Sequence, residues 1–309
     1  MPNRMEHIVK TFCVWSDLLG FSTPFAEGNW SFDNDQSRRN IARLSNMWQV
    51  AHSASSPLDE VALFLNDGIA RVHDYEPELE TPGDMLRWFD QMFRYHGTIS
   101  AVDLQNGFPG IRTVLCFGER VKIGKSTILA SDCIVGWSEF RERLRDKICV
   151  YSPVEFQLNL AFSKAYFIER LGSGIGLEKN SAFYIEDAAV NVMTEFLHSR
   201  CFHEFAGKIV CADGIPSQVV PVQSQYAVTT VDSGADLEVR VMRDAGQGSQ
   251  LYYAFRYTKP PIQVDNNGLK TRVHKIVGLE IPAEFMNPWA NMKLDKDARA
   301  DLIKSLPTK

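Results

Sequence analysis

Val61-Ala62-Leu63-Phe64-Leu65-Asn66-Asp67-Gly68-Ile69-Ala70-Arg71-Val72 is the stretch that decides the fold. Two apolar, β-prone arms flank Asn-Asp-Gly, three residues that tolerate positive φ. The stretch therefore reads as a β-hairpin with Asp67 at its tip. A second stretch, Val14-Trp15-Ser16-Asp17-Leu18-Leu19-Gly20-Phe21-Ser22, sets another aspartate at the end of a strand that begins near His7. If the two strands are neighbours, Asp17 and Asp67 converge on one rim. Paired anionic oxygens on a rigid sheet suit Mg²⁺ or Mn²⁺, ions that usually accompany nucleoside triphosphates.

Outward from the hairpin, Ile41, Leu44, Met47, Trp48 and Ala51 have helical spacing, which predicts a helix over Asp35–Ser53 capped by Asp35 or Ser37. After the hairpin, Met85, Trp88, Phe89, Met92 and Phe93 predict an amphipathic helix within Thr81–Ser100. A strand over Gly110–Val121 follows. Lys125–Cys149 reads as a short helical or mixed segment, and Glu155–Leu171 as a long helix closed by Gly172-Ser173-Gly174-Ile175-Gly176. That glycine run follows a helix and lacks a Lys-Ser/Thr pair, so it reads as a C-cap and not as a phosphate loop. Phe183-Tyr184-Ile185 is a strand, Ala188–His198 a helix, Lys208–Ile281 irregular strands, and the tail from Met292 a loose charged helix. The order predicts an α+β sandwich with helices on one face of the sheet.

The 309 residues carry 45% hydrophobic and 23% charged side chains, the balance of a globular protein with a sizeable core. A formal charge of −5 argues against direct nucleic-acid binding. No run of about 18 apolar residues suggests a membrane span, and no secretory h-region precedes the first strand, so a cytoplasmic location is expected. Cys13, Cys116, Cys133, Cys149, Cys201 and Cys211 form no CxxC pair and read as reduced thiols.

A strand, Asp-x-x-Gly-Phe-Ser, a helix, and then a hairpin with aspartate at its tip resembles the core of the class III nucleotidyl cyclases. The resemblance implies a ferredoxin-like βαββαβ domain over residues 6–205, with the remaining strands and a C-terminal extension over 206–309. It implies that Asp17, Asp67 and the Leu18 carbonyl bind two divalent cations, Mn²⁺ or Mg²⁺. Amides around Gly20, Phe21 and Ser22 would touch the triphosphate. Arg120 falls where the family carries a phosphate-contacting cation, with Arg112 and Lys122 as competitors. Asn159 matches the ribose-orienting asparagine. The arginine expected four residues on is Ser163, with Lys164 next to it as the substitute on the α-phosphate.

The positions that read adenine in the family are Leu63 and Ser152 or Pro153, which cannot make the usual polar contacts. That loss, the wording Trp-Ser-Asp-Leu-Leu-Gly-Phe and the helix Ala-Phe-Ser-Lys-Ala-Tyr are similar to the pyrimidine cyclases of bacterial Pycsar anti-phage systems. The resemblance then implies a UTP or CTP substrate, UTP favoured, with Trp48 or Tyr151 filling space beside the small base unless they are ordinary core aromatics. It also implies a head-to-tail homodimer with sites at the interface, and a cyclic nucleotide acting on a separate effector. Two alternatives stand beside it: an adenylate or guanylate cyclase with atypical base contacts, and an inactive nucleotide-binding regulator of the same fold.

Overall fold

The computed structural model describes residues 7–53, 61–77, 82–122, 155–197, 201–205, 211–212, 215–216, 221–244 and 248–280. Two compact units divide the chain: Met1–Glu195 with Thr258–Ile276, and Phe196–Tyr257 with Val277–Lys309. The chain returns to the first unit after leaving it. The expected segments Lys125–Cys149 and the tail from Met292 lie outside the described residues.

The first unit is built on β1 (His7–Leu18), β2 (Val61–Leu65), β3 (Gly68–Asp74) and β4 (Ile111–Lys122). Their order is β2-β3-β1-β4, with every pair antiparallel, which is the ferredoxin-like arrangement. Between β1 and β2 lie α1 (Thr23–Glu27) and α2 (Asp35–Ser53), and between β3 and β4 lies α3 (Pro82–Gln105). A crossover carrying α4 (Leu160–Leu171) leads to β5 (Ala182–Glu186), parallel to β4. Then α5 (Asp187–Leu197) leaves β5, and a hairpin of β12 (Ile262–Asn266) and β13 (Leu269–Glu280) pairs with β5 through Val273–Ile276.

Helices cover both faces of this sheet, which corrects the one-face expectation. Along β1, Cys13 and Trp15 pack with Ala161, Ala165 and Ile168 of α4. Leu18 packs with Met47 of α2 and Tyr95 and Ile99 of α3. Burial is almost continuous over Thr11–Leu18 of β1 and continuous over Ile111–Cys116 of β4, so no one-sided alternation marks these strands as covered on a single face. Trp88, Met92 and Tyr95 bury one face of α3 almost completely.

Two helix starts differ from the sequence reading. Asn34 caps α2, its Oδ1 accepting from the Ser37 amide at 2.8 Å. Residues 155–158 are turns, Leu158 has φ +48°, and α4 begins only at Leu160. At the other end of α4 the Gly172 amide bonds the Glu169 carbonyl and the chain turns through Gly172–Ile175, as the C-cap reading requires.

In the second unit, β6 (Cys201–Phe205), β9 (Pro221–Asp232), β10 (Asp236–Asp244) and β11 (Ser249–Thr258) form the order β11-β10-β9-β6, and β7 (Cys211–Ala212) pairs β8 (Ile215–Pro216). β9, β10 and β11, of 12, 9 and 10 residues, are long and regular where irregular strands were expected. Val239 and Val241 are buried at the period of two that half-covered strands show. The β9–β10 turn is at Asp232-Ser233-Gly234, where Asp232 Oδ1 accepts from the Gly234 amide at 2.8 Å.

Candidate metal and nucleotide site

Register brings the two aspartates together. Asp17 lies opposite Gly68 on β3, one residue past the hairpin tip, and the Leu18 amide donates to the Asp67 carbonyl at 3.1 Å. The two-residue tip is possible because Asn66 adopts φ +53°, and its side chain donates to Asp67 Oδ1 at 3.1 Å. Gly68 is sterically required: a Cβ there would sit 2.2 Å from Cζ2 of Trp15, whose ring lies across it.

Both carboxylates are short of compensation. Burial, then the fields of Glu169 and Asp67, push Asp17 up to about 8. Burial also raises Asp67, although hydrogen bonds from its own amide and from Asn66 oppose the rise. A charge held in that state gains from a cation. Directly opposite Asp17 on β4 stands Arg112, 8% exposed, with Nε 3.2 Å from Glu169 Oε1. Glu169 comes from α4, so Asp17 looks onto the α4 face.

The loop after Asp17 is held by a network that the sequence reading missed. Arg43 of α2 is 3% exposed and bonds both oxygens of Asp103, at 2.8 and 2.6 Å. It also donates to the Leu19 carbonyl at 3.0 Å and to Asn40 Oδ1 at 3.0 Å, while Asn40 donates to the Phe21 carbonyl. Asp103 in turn accepts from the Gly110 amide at 3.1 Å. Polar Asn40 and Arg43 at i, i+3 within the apolar pattern of α2 were the available signal; Asp103, sixty residues on, gave none.

Gly20 has φ +66° and is exposed, Phe21 is 6% exposed and packs edge-on to Phe25, and Ser22 is exposed at the start of α1. The Phe21 amide donates to the Leu18 carbonyl at 3.3 Å, a long bond that leaves this carbonyl a second lone pair.

Three expected site residues are elsewhere. Arg120 pairs with Val9 in the β1–β4 register while Arg112 pairs with Asp17, so Arg120 lies about 27 Å along the strand from the aspartates. There it is buried and bound through Nε and Nη2 to both oxygens of Asp74. Asn159 is 1% exposed and caps α4: its Oδ1 accepts from the Phe162 amide at 2.9 Å and its Nδ2 donates to the Glu155 carbonyl at 2.9 Å. Its amide oxygen and its amide nitrogen each have one partner within the chain. Trp48 packs edge-on to Phe64 on the α2 face, opposite to Asp17, so it does not border the aspartates. Tyr151, Ser152 and Pro153 lie outside the described residues. Leu63 is a core side chain packed with Trp15 and Phe156.

Lys164 is at the Arg120 end of the same face. Its Nζ donates to both oxygens of Glu186 at 2.7 Å, and Glu186, 2% exposed, also accepts from the Thr271 hydroxyl at 2.8 Å and the Phe117 amide at 3.1 Å. Lys164 and Ser163 border a cavity of about 570 Å³ walled by Phe117, Gly118, Leu160, Phe167 and Leu269. Gly118 is needed there, since a Cβ would lie 2.9 Å from the Ala161 amide nitrogen.

Among the described residues no three His, Cys, Asp or Glu side chains converge to hold a metal by themselves. Two carboxylates and a carbonyl fit an ion whose remaining ligands are waters and phosphate oxygens, the usual situation for Mg²⁺. Among those residues no helix is long and apolar enough to cross a membrane.

No protein family model and no curated protein matches the sequence. Solved structures similar to it include the adenylyl cyclase CyaB from P. aeruginosa, with TM-score 0.43, 9% identity, and 88% of this chain and 96% of that one covered. The guanylyl cyclase Cya2 is similar with TM-score 0.38, 14% identity, and coverage of 90% and 96%. At these values the likeness assigns neither family nor activity, and the reading below rests on the geometry.

Proposed function

We propose that the chain is a nucleotidyl cyclase that converts a pyrimidine nucleoside triphosphate, UTP before CTP, into its 3′,5′-cyclic monophosphate and diphosphate. The observation that carries the proposal is the convergence of Asp17 and Asp67, two carboxylates whose burial and mutual repulsion leave them in need of a cation. Bound there, divalent ions supply Lewis acidity that lowers the pKa of the ribose 3′-hydroxyl and neutralises the departing diphosphate.

The chain's own residues do the rest. Asp17, Asp67 and the Leu18 carbonyl supply oxygens, and the Arg43–Asp103 network fixes the Leu19–Phe21 loop on which the triphosphate would rest. Lys164 offers a cation for the α-phosphate. It lies toward the far end of its own α4 face from Asp17, so a complete site needs a second copy, head to tail. The cavity beside Lys164 is large enough for a base and ribose. Leu63, buried in the core, leaves the base no polar contact from the hairpin, which supports a non-purine substrate. In this reading the cyclic product acts on a separate effector.

A second reading is favoured by the engagement of Asn159 as a cap and of Lys164 by Glu186. In it the protein binds a nucleotide and regulates a partner without turnover. Incubation with Mn²⁺ and each of the four nucleoside triphosphates, followed by mass spectrometry, separates the possibilities. Cyclic UMP or CMP supports the proposal, cyclic AMP or GMP replaces its substrate, and binding without product leaves the regulator.

A further inference from the structure

Directly across from Asp17, in line on the next strand, stands a guanidinium that does not bond it. Opposite residues on antiparallel strands bring their Cβ atoms to about 5 Å, well within the reach of an arginine. Arg112 instead turns to α4. Its Nε donates to Glu169 Oε1 at 3.2 Å and its Nη1 reaches the Glu178 carbonyl at 3.4 Å. The end of α4 is shaped to receive it: Gly172 has φ +52°, and a Cβ there would lie 3.3 Å from Nη1 of Arg112. Both side chains of the pair are 10% exposed, so water cannot replace Glu169 as a partner.

We propose that Glu169 is a positioning residue that holds Arg112 away from Asp17 and thereby keeps the Asp17 oxygens open to a divalent cation. Without the Glu169 carboxylate, this buried guanidinium still faces the carboxyl of Asp17, its register partner on β1, and a bidentate arginine–carboxylate pair there would occupy the oxygens the metal requires. Arg112 is then a competing internal cation. Glu169 need not touch the metal to act in this way. The inference rests on the reading that Asp17 and Asp67 hold the ion.

Its test is Mn²⁺ titration of the full chain without nucleotide, followed by electron paramagnetic resonance, with folding checked by thermal melting. Asp17→Asn tests the underlying site: Mn²⁺ binding that survives this change removes the metal reading itself. With that control satisfied, Glu169→Gln is expected to weaken Mn²⁺ about tenfold or more, a coupling typical of side chains in one ion-pair network. In the Arg112→Gln background the same change is expected to have almost no effect, because the competitor has gone. If Glu169→Gln weakens binding equally with and without Arg112, Glu169 acts only through its distant charge and the proposal fails. No weakening in either background overturns it as well. Should Glu169→Gln fail to fold, Glu169→Asp, which shortens the arm, takes its place with the same two expected outcomes.

Discussion

The two ends of the α4 face hold similar residues in opposite states. At one end the Asp17 carboxyl is buried beside the fields of Glu169 and Asp67, and the guanidinium opposite it, Arg112, is turned aside to Glu169. At the other end charges are matched: Arg120 with Asp74, Lys164 with Glu186, and Asn159 within its own helix cap. Matched charges stabilise a fold, whereas unmatched ones are tolerated where a ligand completes them. The aspartate end therefore reads as a ligand site by its own electrostatics. The Lys164 end joins it only if a second copy presents that face.

Predictions that strain this comparison begin with the Arg43 network. Arg43→Met leaves Asp103 buried without its partner and is expected to cost about 3–5 kcal/mol, measured by denaturant unfolding. It should also loosen the Leu19–Phe21 loop and weaken Mn²⁺ binding; loss of stability with unchanged Mn²⁺ affinity would separate the loop from the site.

The α3 face supplies an internal control. Burial pushes His96 down to about 4, with Nδ1 2.9 Å from Thr113 Oγ1. The unfolded chain binds a proton that the folded one refuses between about pH 6.5 and 4. Stability is thus complete above the unfolded value and falls as pH drops through that window, by up to about 3 kcal/mol. His96→Gln should flatten the acid limb.

Asp17 has the opposite sign. Its raised value means the folded, metal-free chain keeps a proton that the unfolded chain has lost, so stability declines as pH rises from about 4 toward 8. Asp17→Asn should remove that decline, and saturating Mn²⁺ should mask it.

Lys164→Met is the smallest expected change in stability, about 1–3 kcal/mol, because Glu186 keeps two other donors. If its turnover falls far more than its stability, Lys164 works on substrate; if both fall together, the Lys164–Glu186 pair is structural.

Much of the scaffold was legible because local signals agreed with the fold. The Asn66-Asp67-Gly68 tip, the periodicity of α2 and α3, and the glycines after α4 each state their structure within a few residues. The meeting of Asp17 and Asp67 was legible for the same reason. What the sequence concealed depends on distance. Arg43 and Asp103 meet across sixty positions, and Lys164 of α4 meets Glu186 at the end of β5 across 22. Register alone separates Arg120 from Asp17. The start of α4 was misplaced because Leu158 takes a positive φ that leucine rarely adopts.

In the proposed cyclase the two unlike ends complete one another between two copies of the chain. Mixing Asp17→Asn with Lys164→Met tests it directly, with cyclic nucleotide formation as the readout. Each variant alone should be inactive. The mixture should recover about a quarter of wild-type turnover, since random pairing gives half mixed dimers, each with one of two sites intact. A mixture as inactive as its parents, with both variants folded and dimeric, would contradict the claim.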